Sequence, residues 1–382
     1  MSEQLSWCPS PPHYRVDWER IEQEFPIVRR MANCPQDAIH HAEGDVLIHT
    51  QMVVESLAAI RKWRSLPQPE REIVFAAALL HDIAKPACTR VEEGRITSRG
   101  HSKRGAIMAR SLFWGREMPI KTREQVVNLI RHHQVPFFLI DKPGSQRTLF
   151  EVSQRVRCDL LALVTEADAR GRVCEDGQKL LDNISLFVQY AEEQNCLRAP
   201  RLFPSDHSRF LYFRKEDRDP DYPAYDDTIC EVVMMSGLPG AGKDYWVAEN
   251  LPGWPVVSLD ELRREMKVKP TENQGPVASR AREMAREYLR RKQPFVWNAT
   301  NISRQIRELS INLFAAYNAR VRIVYVEAPE DRLYAQNRDR AEAIPAEVIR
   351  KLTDRWEVPD LTEAHRVDWI EGSPGAAQLL TF

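Results

Sequence analysis

Residues Glu231 to Ser236 are an apolar run of strand length, and they lead directly into Gly237-Leu238-Pro239-Gly240-Ala241-Gly242-Lys243, after which a helical stretch opens with Asp244 and Tyr245. Strand, glycine-rich loop and helix in that order are the setting in which backbone N–H groups cradle phosphates at a helix N-terminus. The glycines permit close approach and unusual dihedrals, and the Lys243 ammonium can reach the β- and γ-phosphates. Gly237 to Tyr245 are therefore the expected site for ATP or another NTP with Mg²⁺. Asp244 stands where such loops ordinarily carry Ser or Thr; a carboxylate there can hold the ion directly or through water.

Downstream, short β-rich runs at Val256–Leu259, Phe295–Asn298 and Val321–Glu327 alternate with helical stretches. That alternation predicts a mostly parallel sheet with helices on both faces. Asp260 follows the first of these runs, at the strand end that faces the ligand crevice of α/β sheets, and can accept a proton from an attacking hydroxyl. It could also cap the helix expected from Glu261. Arg263, one turn on, can hold a phosphate. Asn298, Thr300 and Asn301 close the second run, with Asn298 where an Asp is more usual. The helix expected over Glu330–Arg340 offers Arg332, Arg338 and Arg340 as a lid over a transferring phosphoryl group.

Upstream, residues 198–228 turn to Pro, Asp, Arg and aromatic residues and read as a connector with turns. Before it, Asp45 to Asn195 is helical in period, with no strand expected. An apolar helix at Ile73–Leu80 ends in His81-Asp82, with Lys85 one turn further. Histidines also stand at His49, His101, His132 and His133, and Asp168 lies within the run Leu161–Asp168. Imidazole and carboxylate in this mixture suit divalent transition metals, and an Asp can bridge two ions and serve a water that attacks phosphorus. Lys85 can contact substrate phosphate. His13, His40 and His41 stand apart from the pattern.

At 382 residues, 43% hydrophobic and 29% charged, the chain is expected to form two domains. A net charge of -1 argues against a protein that coats nucleic acid, though Glu261–Lys292 carries ten Lys or Arg against five Glu. The apolar run Val74–Leu80 is too short to span a bilayer, and no signal peptide is evident, so the expected location is cytoplasmic, without membrane contact. Seven scattered cysteines read as reduced thiols. Trp246, Trp254, Trp297 and Trp356 suit core packing better than base stacking.

The order His49, His81-Asp82, His101, His132-His133, Asp168 resembles the HD superfamily of phosphohydrolases over about residues 40–190. The resemblance makes His49, His81, Asp82 and Asp168 ligands of a first metal, and Asp82, His101 and either His132 or His133 ligands of a second. Gly237–Lys243, Asp260 with Arg263, Asn298–Asn301 and Arg338 with Arg340 resemble the polynucleotide kinases over about residues 229–380. An HD module at 1–197 joined through 198–228 to a kinase at 229–382 is similar to the HD-Pnk family of bifunctional end-healing enzymes. That resemblance implies ATP-dependent phosphorylation of 5′-hydroxyl RNA or DNA ends, and removal of 2′,3′-cyclic, 2′- or 3′-phosphates. Asp260, Arg263, Arg338, Lys243 and Lys85 would carry the chemistry, and a homodimer is compatible with it. From composition and spacing alone, two other readings stand: a small-molecule kinase fused to a nucleotide phosphohydrolase, and a non-catalytic, ATP-responsive RNA-binding module.

Overall fold

The computed structural model describes residues 7–269, 272–339, 343–372 and 378–381. The chain divides into two compact units, Met1–Leu202 and Phe203–Phe382.

The first unit is helical. Its principal helices are α1 (Val46–Ala59), α2 (Gln68–Leu80), α3 (His101–Trp114), α4 (Ile120–His132), α5 (Cys158–Arg170) and α6 (Gly177–Glu193). The Asp45 carboxylate starts α1 by accepting the Ile48 N–H at 2.9 Å. Helix α2 is the centre of the unit: Ile73 to Leu80 are all buried, and α1, α4 and α5 pack around it. From Ile73 onward the helix is apolar on every side and has no solvent face to present, so its carboxyl end delivers His81-Asp82 into the interior. One expectation fails here. A short antiparallel hairpin, β1 (Arg90–Glu92) and β2 (Arg95–Thr97), interrupts the helices. Its residues are exposed or half-buried, so it leaves no apolar alternation to read; its turn rests on Glu93 and Gly94, both at positive φ.

The second unit opens with α7 (Asp206–Arg214), a helix inside the stretch expected to be a mere connector. Arg209 ties it to this unit, donating to the carbonyls of Leu361 at 3.1 Å and His365 at 2.6 Å. A six-stranded sheet follows: β3 (Cys230–Ser236), β4 (Val256–Ser258), β5 (Phe295–Asn298), β6 (Ala319–Glu327), β7 (Arg366–Glu371) and β8 (Gln378–Thr381), in spatial order β4-β5-β3-β6-β7-β8. Five strands are parallel and β8 is an antiparallel edge. Between them run α8 (Lys243–Asn250), α9 (Leu259–Glu265), α10 (Gly275–Arg290), α11 (Arg304–Ala315), α12 (Glu330–Arg338) and α13 (Ala346–Thr353). Val232 to Ser236 are buried throughout, as a central strand covered on both faces requires. From β3 the chain moves out to β4, returns to β5, then crosses to β6, so strand order reverses beside β3 and a crevice opens at its carboxyl end. Trp297 and Trp356 lie in the core. Arg340 lies outside the described residues.

Candidate functional site

In the first unit, Asp82 is the hub. Its Oδ2 is 3.2 Å from His81 Nε2, 3.8 Å from His49 Nε2 and 2.7 Å from Lys85 Nζ, and its Oδ1 is 3.3 Å from His101 Nε2. Asp168 Oδ1 is 3.2 Å from His49 Nε2. His49, His81 and Asp82 form one group with ligand atoms within 4.8 Å of each other, and Asp82, His101 and His133 form another. His133, and not its neighbour His132, belongs to the second group: both are buried, but the phase of α4 points only one at Asp82.

The imidazoles are oriented from behind. His81 Nδ1 donates to the Ala78 carbonyl at 2.8 Å, His101 Nδ1 to that of Ser98 at 2.7 Å, and His133 Nδ1 to that of Ile130 at 2.8 Å. A carbonyl only accepts, so each Nδ1 carries the proton and each Nε2 turns a lone pair inward. His49 Nδ1 has two acceptors, Glu43 Oε1 at 2.8 Å and the Gly171 carbonyl at 3.2 Å. Gly171 makes that approach possible: a Cβ there would lie 2.6 Å from Val53 Cγ2 on α1.

This donor set fits divalent metal. The Nε2 atoms of His49 and His81 and Oδ1 of Asp82 are buried without a hydrogen-bond partner. The Nε2 atoms of His101 and His133 are 3.5 Å apart with lone pairs facing, a repulsion that a cation relieves. Burial, followed by the neighbouring His81 and His101, pushes His133 down to about 3, in keeping with a neutral ring. Against the burial that would raise it, His81 and Lys85 keep the Asp82 carboxyl well below the usual range.

Four contributors escaped the sequence reading. Arg172 clamps Asp168 with two 2.8 Å hydrogen bonds, Gln36 Oε1 accepts from Lys85 Nζ at 2.7 Å, and Glu43 bridges His49 to His41, whose rings sit 4.6 Å apart. Arg172 lies four residues after Asp168, a spacing that could have flagged it; Gln36, Glu43 and His41 lie outside regular helices and carry no such signal.

In the second unit, the loop after β3 demands its glycines. Gly237 has φ +143 and a Cβ there would lie 2.2 Å from the Val326 carbonyl oxygen; Gly242 precedes α8 at φ +98. The side chains of Leu238, Pro239 and Ala241 are buried, leaving the loop backbone and Tyr245 toward the surface. Lys243 Nζ donates to the carbonyls of Gly237 and Leu238, each at 3.0 Å. The loop is anchored from the β5 side: the Gly237 N–H donates to the Thr300 carbonyl at 2.9 Å, and Asn301 Nδ2 to the Met235 carbonyl at 2.7 Å. Asn298 Nδ2 donates to Asp244 Oδ1 at 2.6 Å.

Ser258, rather than Asp260, caps α9, accepting the Glu261 N–H. Asp260 stays largely exposed and pairs with Arg263, which also donates to Gln274 at 2.8 Å. Helix α12 stands against the loop through Leu333 and Asn337, with Arg332 and Arg338 exposed. Among the described residues no helix is long and apolar enough to cross a membrane.

An HD domain model matches residues 46–170 and an AAA domain model residues 232–359. Proteins named "Multifunctional CCA protein" are similar to part of the chain: that of Variovorax paradoxus is 30% identical over 39% of this chain and 34% of its own length, and that of Azoarcus sp. 31% over 43% and 38%. The chain thus spans little more than a third of these relatives. A solved gluconokinase from Sinorhizobium meliloti 1021 aligns at 16% identity and TM-score 0.28, over 38% of this chain and 83% of that one. The chain carries a helical HD domain on its amino side and a kinase-like α/β domain with a P-loop on its carboxyl side.

Proposed function

We propose that this chain is a bifunctional nucleic-acid end-healing enzyme, phosphorylating 5′-hydroxyl ends of RNA or DNA with ATP and removing 2′,3′-cyclic, 2′- or 3′-phosphates. The observation that carries the kinase half is Asp260: a carboxylate at the carboxyl end of a strand in a P-loop sheet, largely exposed and held by Arg263. An open acid at the crevice mouth can serve the terminus of a long polymer, which an enclosed pocket would exclude.

ATP·Mg²⁺ would be held by Gly237–Tyr245, with Asp244 toward the ion, and supplies the phosphoryl group. Asp260 takes the proton from the 5′-oxygen, Arg263 steadies Asp260 and grips the adjoining phosphate, and Lys243 and Arg338 balance phosphoryl charge. In the HD domain, His49, His81, Asp82, His101, His133 and Asp168 would hold divalent metal, which would supply an activated water and charge neutralisation for the phosphoester. Lys85 sits beside Asp82 as a fixed positive charge for a substrate oxygen.

Labelled ATP, offered with a 5′-hydroxyl oligonucleotide and with nucleosides and small sugars in parallel, tests this reading. Label on the oligonucleotide, lost in Asp260→Ala, is expected. Label only on a small molecule would overturn the end-healing assignment and leave a small-molecule kinase; binding without transfer to any acceptor would leave a regulatory module.

A further inference from the structure

The parallel sheet of the second unit has a second opening, at the end of its strands opposite the P-loop. A cavity of about 510 Å³ lies between α7, residues 222–228, the carboxyl end of α11 and the start of β6. The seven residues of β3 separate it from the loop after Ser236 by roughly 20 Å at 3.3 Å per residue. It is therefore distinct from the nucleotide crevice at the carboxyl ends of the strands.

Its floor is a pair of histidines whose protons can be placed. The Val321 backbone N–H donates to His365 Nδ1 at 3.0 Å, so that nitrogen carries a lone pair and the proton is on Nε2. His365 Nε2–H in turn donates to His207 Nδ1 at 3.0 Å, which puts the His207 proton on its own Nε2. Burial, followed by Arg320 and His207, pushes His365 down to about 3, in keeping with a neutral ring. The chain of hydrogen bonds ends in a buried His207 Nε2–H with no hydrogen-bond partner, in a residue that lines the cavity. Asp227 Oδ1 lies 3.5 Å from it, so a donor and an acceptor stand side by side.

Cationic and aromatic side chains stand among small and polar ones in the rest of the lining. Arg214 stacks on Phe210 at 5.1 Å and donates to Asn312 Oδ1 at 2.5 Å, with no carboxylate in ion-pair range among the described residues. Arg218 likewise has no ion pair among them, and its guanidinium is 6.0 Å from the Tyr222 ring. Tyr222 and Tyr225 are 54% and 86% exposed, more than core tyrosines would be, and both face this cavity.

We propose that this cavity binds a nucleoside monophosphate unit carrying an amino-bearing base, either free or as one residue of a single strand. The base stacks on Tyr222 or Tyr225, and its edge meets the pair of His207 Nε2–H and Asp227: a ring nitrogen accepts from the histidine while the exocyclic amine donates to the carboxylate. The phosphate goes to Arg214 and Arg218, whose planar donors suit its oxygens. Several hundred Å³ is the size of cavity that takes such a ligand. The site is independent of what the P-loop phosphorylates.

The test uses the full chain with Lys243→Ala, to weaken the P-loop site, in metal-free buffer. AMP, UMP and a single-stranded hexamer of adenylate are titrated by calorimetry, with and without Arg218→Gln and Tyr225→Ala, changes at a half-buried and an exposed position outside the core. Saturable binding of AMP or the hexamer, weaker for UMP and reduced about tenfold or more by the paired substitutions, is expected. AMP binding marks a free-nucleotide site, and binding of the hexamer alone marks a strand site. No binding of either adenylate, or binding indifferent to Arg218 and Tyr225, overturns the proposal.

Discussion

The side-chain amide of Asn298, the last residue of β5, donates a 2.6 Å hydrogen bond to the carboxylate of Asp244, the second residue of α8. In P-loop NTPases the strand position ordinarily holds a carboxylate and the helix position a hydroxyl, and both serve Mg²⁺. Here the carboxylate has moved to the helix, and a neutral amide answers it from the strand. Asp244→Asn should therefore lower phosphoryl transfer by roughly a hundredfold, the scale of losing one preorganised electrostatic contact. Asn298→Asp alone should also impair it, by setting two carboxylates together. The paired exchange Asp244→Thr with Asn298→Asp should recover activity above either single change; initial rates across a Mg²⁺ series would show it, and no recovery would mean that the two residues do not share one ion.

His132 and His133 are adjacent in sequence but not in role. His133→Ala should remove an ion or weaken its binding at the HD centre, whereas His132→Ala should leave stoichiometry unchanged, because only His133 Nε2 approaches His101 Nε2. Metal content of the purified variants by mass spectrometry reads this directly, and equal losses in both would contradict the geometry.

Glu43 accepts from His49 Nδ1 and His41 Nδ1, each at 2.8 Å, and fixes the ring whose Nε2 faces the candidate metal site. Residues that orient a ligand typically contribute 10–100-fold in metal affinity. Glu43→Gln should weaken metal binding by about that factor in competition with a chelating dye, while its circular dichroism matches the parent; unchanged affinity would show that the Gly171 carbonyl suffices.

Glu124 is buried between Arg110 and Arg123, at 2.7 Å and 3.0 Å. Burial works to raise its pKa, but the two guanidiniums win and hold it below the ordinary carboxylate value. A depressed carboxyl stabilises the fold fully above its unfolded pKa and loses that contribution as pH falls toward the folded one. Glu124→Gln should cost about 3 kcal/mol near neutrality, the scale of breaking a buried pair, and the gap to the parent should shrink below about pH 4. Urea unfolding at pH 7 and at the lowest pH where both fold measures it; a gap that widens in acid would refute the sign.

What the sequence reveals of this fold is set by local demand. Gly237 and Gly242 can be read because no other residue fits their backbone, and β3 because a central strand must be apolar on both faces. His49, His81, Asp82, His101 and Asp168 can be picked out by order, but choosing between His132 and His133 needs the rotation of α4. The hairpin at residues 90–97 carries no buried face to betray it. In Arg366–Glu371 the inward and outward positions are nearly all buried, including Asp368, which Arg322 and Arg366 hold at 2.6 Å and 2.9 Å. The partnership of Asp244 with Asn298 spans 54 residues and exists only once β3 and β5 pair.

Arg307 on α11 is fully buried. It donates to both Glu363 oxygens at 2.7 Å and 2.8 Å, to the Asn301 carbonyl at 3.0 Å and to the Glu357 carbonyl at 2.7 Å. This sets where the second unit can be cut. A fragment trimmed at residue 359 would retain the phosphate loop and the strands on either side of it, yet strand a guanidinium in the interior without its counter-ion, a loss of about 3–5 kcal/mol. The segment beyond the last crevice residue is thus a working part of the nucleotide fold: it holds the Asn301 turn, and through the Thr300 carbonyl the first amide of the phosphate loop, in register from the far side of the sheet.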